Sequence, residues 1–144
     1  MRIPVLAANW KMFKTVGETV SYLKEFCALT AGVSGAEIAV APPFTAIRAA
    51  SEAARGSNVG IAAQDCYWEQ EGAFTGEISA RMLKDAGACY VIVGHSERRR
   101  LFGDTDERVN RKLGAVLTAG LTPIVCIGET LEERDAGRTL AVLD

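Results

Sequence analysis

Residues 89–97 have the sequence Cys89-Tyr90-Val91-Ile92-Val93-Gly94-His95-Ser96-Glu97, in which an apolar run is followed at once by the only histidine of the chain. A strand that is apolar at nearly every position has both faces covered, as in a parallel sheet packed under helices. Such sheets carry their binding and catalytic groups just beyond the carboxyl ends of the strands. His95 occupies that position. The alternative, a structural histidine in the core, is disfavoured by the flanking glycine, serine and glutamate.

Composition and charge limit the classes of protein to consider. The 144 residues are 49% hydrophobic, which is enough for one globular domain with a real core. A formal net charge of -2, with both signs interspersed, predicts neither a nucleic-acid partner nor binding to an anionic membrane surface. The first apolar run is too short for a signal peptide, so we expect a cytoplasmic protein.

The cysteines are widely spaced and form no C-x-x-C pair. This spacing is typical of free thiols that pack as small hydrophobic residues, and we expect no disulfide, no metal and no cofactor. The four positions are Cys27, Cys66, Cys89 and Cys126.

One strand-and-helix unit recurs five times along the chain. Strand-like runs occupy residues 3–9, 37–41, 58–64, 89–94 and 122–128, and each is followed by a segment with helical spacing. The predicted helix starts are Thr45, Ser79, Thr105 and Thr130, and the predicted stops are Gly56, Gly87 and Gly120. The helix after Thr105 should bury one face made of Val109, Leu113, Val116 and Leu117. This order is compatible with a doubly wound sheet and with part of a (β/α)8 barrel. The sequence contains neither a G-x-G-x-x-G nor a P-loop motif, so nucleotide binding is disfavoured.

Polar side chains follow the predicted strands at the points where the strands end. In a barrel these positions converge on one face, where they would form a cup suited to a small anion. The residues at these positions are Asn9, Lys11, Gln64, Asp65, His95, Ser96, Glu97 and Glu129.

Five motifs of the chain resemble the triosephosphate isomerase family in their order and spacing. The resemblance implies an α/β fold of the (β/α)8 TIM-barrel family, here a partial barrel of about five parallel strands with alternating helices. It also implies that residues 1–144 are the amino-terminal portion of a single domain. The motifs are Ala8-Asn9-Trp10-Lys11, Ala41-Pro42-Pro43, Gly72-Ala73-Phe74-Thr75-Gly76-Glu77, Gly94-His95-Ser96-Glu97-Arg98-Arg99 and Cys126-Ile127-Gly128-Glu129-Thr130.

The resemblance implies a reaction of glycolysis and gluconeogenesis: the interconversion of dihydroxyacetone phosphate and glyceraldehyde 3-phosphate through an enediolate. His95, Lys11 and Glu97 would be catalytic, and Asn9 and Lys11 would bind the substrate. His95 would act as a neutral imidazole on the substrate oxygens, a role already described for a histidine of this family. Glu97 would be a buried carboxylate paired with the lysine, whereas Cys126 is expected only to pack. Without the resemblance, Lys11 would be a solvent-exposed lysine and Asn9 would be a turn-forming residue. Glu97 would be a charge that interacts favourably with the positive end of a helix.

The segment 64–77 is long, irregular and rich in aromatic residues. Exposed Tyr67, Trp68 and Phe74 would indicate an interface. The resemblance implies a homodimer in which Thr75, flanked by Phe74 and Glu77, reaches the active site of a second subunit. Asp65 departs from the asparagine usual in the family, so the anchoring of the segment should differ.

Members of the family continue through three more βα units, which bring the glutamate base, a lid loop and phosphate-binding turns. We therefore expect residues 1–144 alone to be nearly inactive. Five strands of a barrel also leave two open edges, so we expect self-association through those edges or through the segment 64–77. The alternative from another class is a non-catalytic partial barrel that serves as an assembly or folding module.

Overall fold

Five parallel strands alternate with helices in the computed structural model. It describes residues 2–144, so Met1, the first residue of the predicted range 1–144, lies outside the described residues. The strands follow one another in the sheet in the order β1-β2-β3-β4-β5, without the reversal that defines a doubly wound sheet. The predicted partial barrel is confirmed. The strands are β1 (Val5–Asn9), β2 (Glu37–Ala41), β3 (Val59–Ala63), β4 (Tyr90–Val93) and β5 (Thr122–Val125), and the helices are α1 (Val16–Thr30), α2 (Ile47–Ala53), α3 (Ala80–Asp85), α4 (Ser96–Phe102), α5 (Asp106–Thr118), α6 (Leu131–Asp135) and α7 (Thr139–Leu143).

The two faces of the sheet bury separate apolar clusters. The outer face packs against the helices through large residues that include Ile38, Val40, Ile61, Val91 and Val93. The inner face carries a small buried cluster of Ala41, Ala62 and Ile92. A methyl group on Gly60 would lie 2.7 Å from a ring carbon of Tyr90, so a larger residue there would require that ring to move. The partly buried Tyr90 and Ile124 also pack against the inner cluster.

The two edge strands are exposed within the described residues. Leu6 of β1 is 60% exposed and Val125 of β5 is 41% exposed. An apolar groove of about 490 Å³ runs along β1 and is lined by residues that include Leu6, Phe26 and Val33. The outer strands therefore present apolar side chains and unpaired backbone, which is the arrangement that favours association of sheets.

Most predicted helix starts are confirmed. Ser79 and Thr105 accept hydrogen bonds from the backbone N–H three residues later, and Thr130 forms a full capping box with Glu133. The start predicted at Thr45 is wrong, because a 3-10 helix occupies Phe44–Ala46 and α2 begins at Ile47 without a side-chain cap. The last predicted helix is divided into α6 and α7, since Gly137 between them takes a φ of 68°.

The buried face of α5 differs from the predicted one. Val109 and Val116 are buried as expected, but Leu117 is exposed and Lys112 is buried in its place. The Lys112 ammonium lies 2.9 Å from Asp65 and 2.7 Å from Asp104. A buried lysine is tolerated only when it is paired, and here two carboxylates pair it.

A second cation completes this buried ion cluster. The Arg98 guanidinium of α4 lies 2.7 Å from Asp65 and 3.3 Å from Asp104, so two cations meet two carboxylates. Burial raises the pKa of Asp65, while Lys112 and Arg98 oppose that change. The segment 64–77 is therefore anchored at its start by ion pairs that an asparagine would not make. The cluster ties this segment to α4 and α5.

We expect the substitution Lys112→Met to destabilise the chain by about 3–5 kcal/mol, because it leaves two neighbouring buried carboxylates with the partly exposed Arg98 guanidinium as their remaining partner. Urea unfolding at neutral pH measures the change in the free energy of unfolding. The control is Lys24→Met on the exposed side of α1, which should change that free energy by no more than about 0.5 kcal/mol. Equal losses in the two variants would contradict a stabilising role for the cluster.

Candidate active site

The turn after β1 has a backbone conformation that few residues adopt. The Asn9 side-chain oxygen accepts a hydrogen bond of 2.9 Å from the Lys11 backbone N–H. Lys11 has a φ of 54°, in the left-handed region that is uncommon for residues other than glycine. Such a conformation costs about 1–3 kcal/mol and persists only where its surroundings enforce it.

Gln64 supplies part of that enforcement. Its amide nitrogen donates to the backbone oxygens of Lys11 and Ala41, each at 2.8 Å. One side chain at the end of β3 therefore ties the turn after β1 to the end of β2. Sequence reasoning placed Gln64 in the predicted cup but assigned it no role. The only signal was its position directly after a strand, which does not reveal which atoms it binds.

Glu97 brings the lysine and the histidine together. One of its carboxylate oxygens lies 2.8 Å from the Lys11 ammonium, and the other lies 3.5 Å from Nδ1 of His95. The hydrogen bond from Lys11 lowers the pKa of Glu97, so its carboxylate is ionised near neutral pH. The expectation that this carboxylate is buried is wrong, because the side chain is 38% exposed. It lies at the open rim, where the ends of the strands face solvent.

The hydrogen bond of His95 decides which ring nitrogen carries the proton. His95 is the N-cap residue of α4, and its Nδ1 accepts a bond of 3.2 Å from the Glu97 backbone N–H. This bond requires a lone pair on Nδ1, so a neutral ring carries its proton on Nε2. In that tautomer the ring presents Nε2–H as a hydrogen-bond donor.

Curvature of the sheet makes this convergence possible. Asn9 and Lys11 follow β1, whereas His95 and Glu97 follow β4, and β2 and β3 lie between those strands. Three strand spacings in a flat sheet would separate the two strands by about 14 Å. The curved half-barrel and the length of the lysine side chain close that gap. The structure thus places the four predicted residues around one rim.

The predicted interface residues lie elsewhere, at the tip of the segment 64–77. The Glu77 backbone N–H donates to the Phe74 oxygen at 3.0 Å, which closes a tight turn around Thr75 and Gly76. Gly76 has a φ of 90°, as the third residue of a type II turn requires. Phe74, Thr75 and Glu77 are exposed, and within residues 2–144 no hydrogen bond or ion pair joins them to Lys11 or His95.

The aromatic residues of this segment are less exposed than expected. Tyr67 stacks on Trp68 with ring centroids 4.1 Å apart, and the Arg111 guanidinium lies 4.3 Å from the Trp68 ring. Both aromatic residues are partly buried, and only Phe74, at 41%, is exposed. The stack gives the segment a fixed shape, which an interface needs.

The remaining polar and sulfur groups of the strand ends have other contacts. Cys126 packs against the inner-face cluster, and burial raises the pKa of its thiol, which disfavours the nucleophilic thiolate. The Thr139 hydroxyl donates to Glu129. All four cysteines are free, although Cys89 is exposed and not packed as expected. No helix among residues 2–144 has both the length and the apolar character needed to cross a membrane.

Comparison with known proteins gives one consistent result. A sequence model of the family described as triosephosphate isomerase matches residues 4–144. The chain is 56% identical over 144 residues to a triosephosphate isomerase of Citrifermentans bemidjiense and 54% identical over 143 residues to one of Pelobacter propionicus. A crystal structure of triosephosphate isomerase from Bartonella henselae superposes with a TM-score of 0.93 at 40% identity.

The matches cover the chain more fully than they cover the relatives. The two bacterial sequences align with 99–100% of this chain but with only 57% of their own length. The crystal structure is matched over 99% of this chain and 59% of its own length. The chain therefore spans somewhat more than half of the proteins that it resembles.

We expect the substitution Lys11→Met to raise the pKa of Glu97 toward its ordinary value, because the strongest hydrogen bond to the carboxylate is removed. Carbon-13 NMR of the glutamate side chains, followed from neutral to acidic pH, measures this change. Lys14→Met is the matched control, since the Lys14 ammonium lies over the Trp10 and Tyr22 rings. A Glu97 titration that is unchanged by Lys11→Met would show that the ion pair does not form in solution.

Proposed function

The chain belongs to the triosephosphate isomerase family, and we propose that its rim residues form one half of an isomerase site. The substrates proposed are dihydroxyacetone phosphate and glyceraldehyde 3-phosphate, with no metal and no cofactor. One observation carries the proposal: the Glu97 carboxylate pairs with the Lys11 ammonium, while the Glu97 backbone N–H donates to Nδ1 of the His95 imidazole. Two donors from separate βα units are thereby fixed beside each other at the carboxyl ends of the strands.

The chemistry of the reaction suits these donors. Moving a proton between adjacent carbons creates an enediolate, whose negative oxygen needs fixed hydrogen-bond donors. We assign Nε2–H of His95 to the two reacting oxygens, and the Asn9 amide to hydrogen bonding with the substrate. Lys11 supplies positive charge for the phosphate and for the enediolate. These groups polarise the substrate and stabilise the intermediate.

We assign Glu97 to the catalytic set because it touches both donors. It holds the ammonium in place through its carboxylate and the imidazole through its backbone N–H. It is not the base that removes the carbon-bound proton in this proposal. An ionised carboxylate already engaged by Lys11 is a weaker base than an unpaired one.

We propose that residues 1–144 form the amino-terminal portion of a single barrel domain in the cytoplasm. By resemblance, the family's glutamate base, lid loop and phosphate-binding turns belong to the units beyond the fifth, and no residue of 1–144 matches them. A missing base costs a factor of about 10² to 10⁴, so the 144 residues alone should be nearly inactive. The second half of the site would come from the rest of a barrel.

Complementation tests this proposal. We expect the 144 residues alone to give isomerase rates near background, and a fusion to the carboxyl-terminal remainder of the Pelobacter propionicus relative to give clear activity. In the fusion, Lys11→Met or His95→Gln should lower kcat/KM by about 10²- to 10⁴-fold. Lys24→Met, on the exposed side of α1, should leave it unchanged. A folded fusion that is inactive, or one that is indifferent to both site substitutions, would contradict the proposal.

A second candidate function is supported by the exposed edges of the sheet. The apolar groove along β1 and the exposed Val125 on β5 favour a partial barrel that acts as an assembly or folding module. For the isomerase, we propose instead a homodimer formed through the segment 64–77, with Thr75, Phe74 and Glu77 at the contact. The two modes of association use opposite parts of the molecule.

We expect the purified chain to self-associate, and size-exclusion chromatography with light scattering measures its mass. Phe74→Asp should dissociate an assembly formed through the segment 64–77, because it places a charge in the contact. Leu6→Lys should dissociate an assembly formed through the edge at β1. Each variant should leave the other mode of association unchanged, so each serves as the control for the other. A wild-type monomer that melts cooperatively would contradict both modes.

A further inference from the structure

We propose that Arg99 is a positioning residue that fixes His95 in the orientation in which Nε2–H donates. The inference rests on the proposed function for its catalytic meaning, but its structural content concerns only this chain. Arg99 lies in α4, one turn after His95, and its side chain is 30% exposed. The hydrogen bonds of its side chain within residues 2–144 go to Gly94, Asp106 and Cys126 and not to the rim residues assigned to the substrate.

The guanidinium of Arg99 reaches back to the residue directly before the histidine. Its Nε donates to the Gly94 backbone oxygen at 2.8 Å. The Arg99 backbone N–H also donates to the His95 oxygen at 3.1 Å. One residue therefore holds the carbonyl groups of the two peptides that flank the His95 Cα, and so limits rotation of the backbone from which the imidazole projects.

Gly94 shows how closely this peptide is held. Its φ is 72°, and an added methyl group would lie 3.0 Å from Arg99 Nη2 and 3.0 Å from the Val109 side chain. The guanidinium and the Val109 side chain therefore both close the side of Gly94 on which a Cβ would lie. Loss of the guanidinium would open part of this space and remove the bond to the Gly94 oxygen, so the peptide could turn.

The same guanidinium connects the ends of two strands. The last backbone bond between β4 and β5 runs from the Cys126 N–H to the Val93 oxygen at 2.9 Å. Beyond it, Arg99 Nη2 approaches the Cys126 oxygen at 3.4 Å, while Nη1 lies 2.6 Å from the Asp106 carboxylate. Arg99 therefore continues the connection past the end of the ladder, beside an exposed edge strand.

The neighbouring arginines of α4 have different surroundings. Arg98 points to the buried ion cluster, where it pairs with Asp65 and Asp104. Arg100 is exposed at the end of the same helix. A planar guanidinium with several donors can serve Gly94, Cys126 and Asp106 together, whereas a lysine ammonium offers one compact charge. Arg100 is therefore a matched control for a loss of charge in α4.

The test uses the fact that His95 is the only histidine of the chain. Long-range proton–nitrogen NMR of the 144 residues reports its tautomer without overlap from other imidazoles. Hydrogen exchange of the Glu97 amide reports the bond to Nδ1, and exchange of the Val91 amide in β4 reports global opening. We compare wild type with Arg99→Met, Arg99→Lys and Arg100→Met.

We expect wild type and Arg100→Met to show the Nε2–H tautomer and equal protection of the Glu97 amide. Arg99→Met should shift the ring nitrogen signals toward tautomer averaging and speed Glu97 exchange by about tenfold or more, relative to Val91, as the loss of a charged hydrogen bond implies. Arg99→Lys should give ring nitrogen signals and a Glu97 exchange rate between those of wild type and Arg99→Met. If Arg99→Met does not fold, Arg99→Lys carries the comparison.

Two results would overturn the inference. One is a wild-type tautomer and wild-type Glu97 exchange in Arg99→Met and Arg99→Lys. The other is equal acceleration of Glu97 and Val91 exchange, which would mark Arg99 as merely structural. Because neither readout needs isomerase activity, an inactive fusion would contradict the proposed function and leave this test standing.

Discussion

The arrangement of this chain depends on the burial of one face of a curved parallel sheet against its helices. Branched residues on the outer face are buried against the helices, and their removal from water supplies most of the stabilising free energy. The inner face carries a smaller cluster of Ala41, Ala62 and Ile92, and the strands bend around it. The bend brings the end of β1 toward the end of β4. Without it, Lys11 and Glu97 would lie too far apart for an ion pair.

Three sets of polar contacts determine local conformations that the apolar core does not determine. Gln64 holds the turn of Lys11, Arg99 holds the peptide before His95, and the buried ion cluster holds the segment 64–77 against α4 and α5. Each set joins elements that are distant in sequence, at strand ends where backbone ladders stop. Directional bonds are needed there because apolar packing does not determine the angle of a side chain.

Much of the fold could be predicted from sequence, because its signals are local. The alternation of apolar strand and helix at a constant spacing fixed the α/β class, and Ser79, Thr105 and Thr130 marked helix starts correctly. The errors have local causes too. Thr45 was mistaken for a cap because it stands just before the apolar stripe of α2, although it lies inside the 3-10 turn Phe44–Ala46. Leu117 was predicted in the core, but α5 buries Lys112 instead. Apolar periodicity does not reveal that two carboxylates, Asp65 and Asp104, pair with this lysine.

The sequence by itself determined the five βα units, the candidate residues Asn9, Lys11, His95 and Glu97, and the family to which their motifs belong. Those features follow from the residue types and from their spacing along the chain. Only the tertiary structure decided that Glu97 lies at the rim and bridges lysine to histidine, that Asp65 is anchored by Lys112 and Arg98, and that Arg99 turns back to Gly94. These contacts join residues brought together by the curvature of the sheet, and curvature is a property of packing between elements that no local pattern encodes.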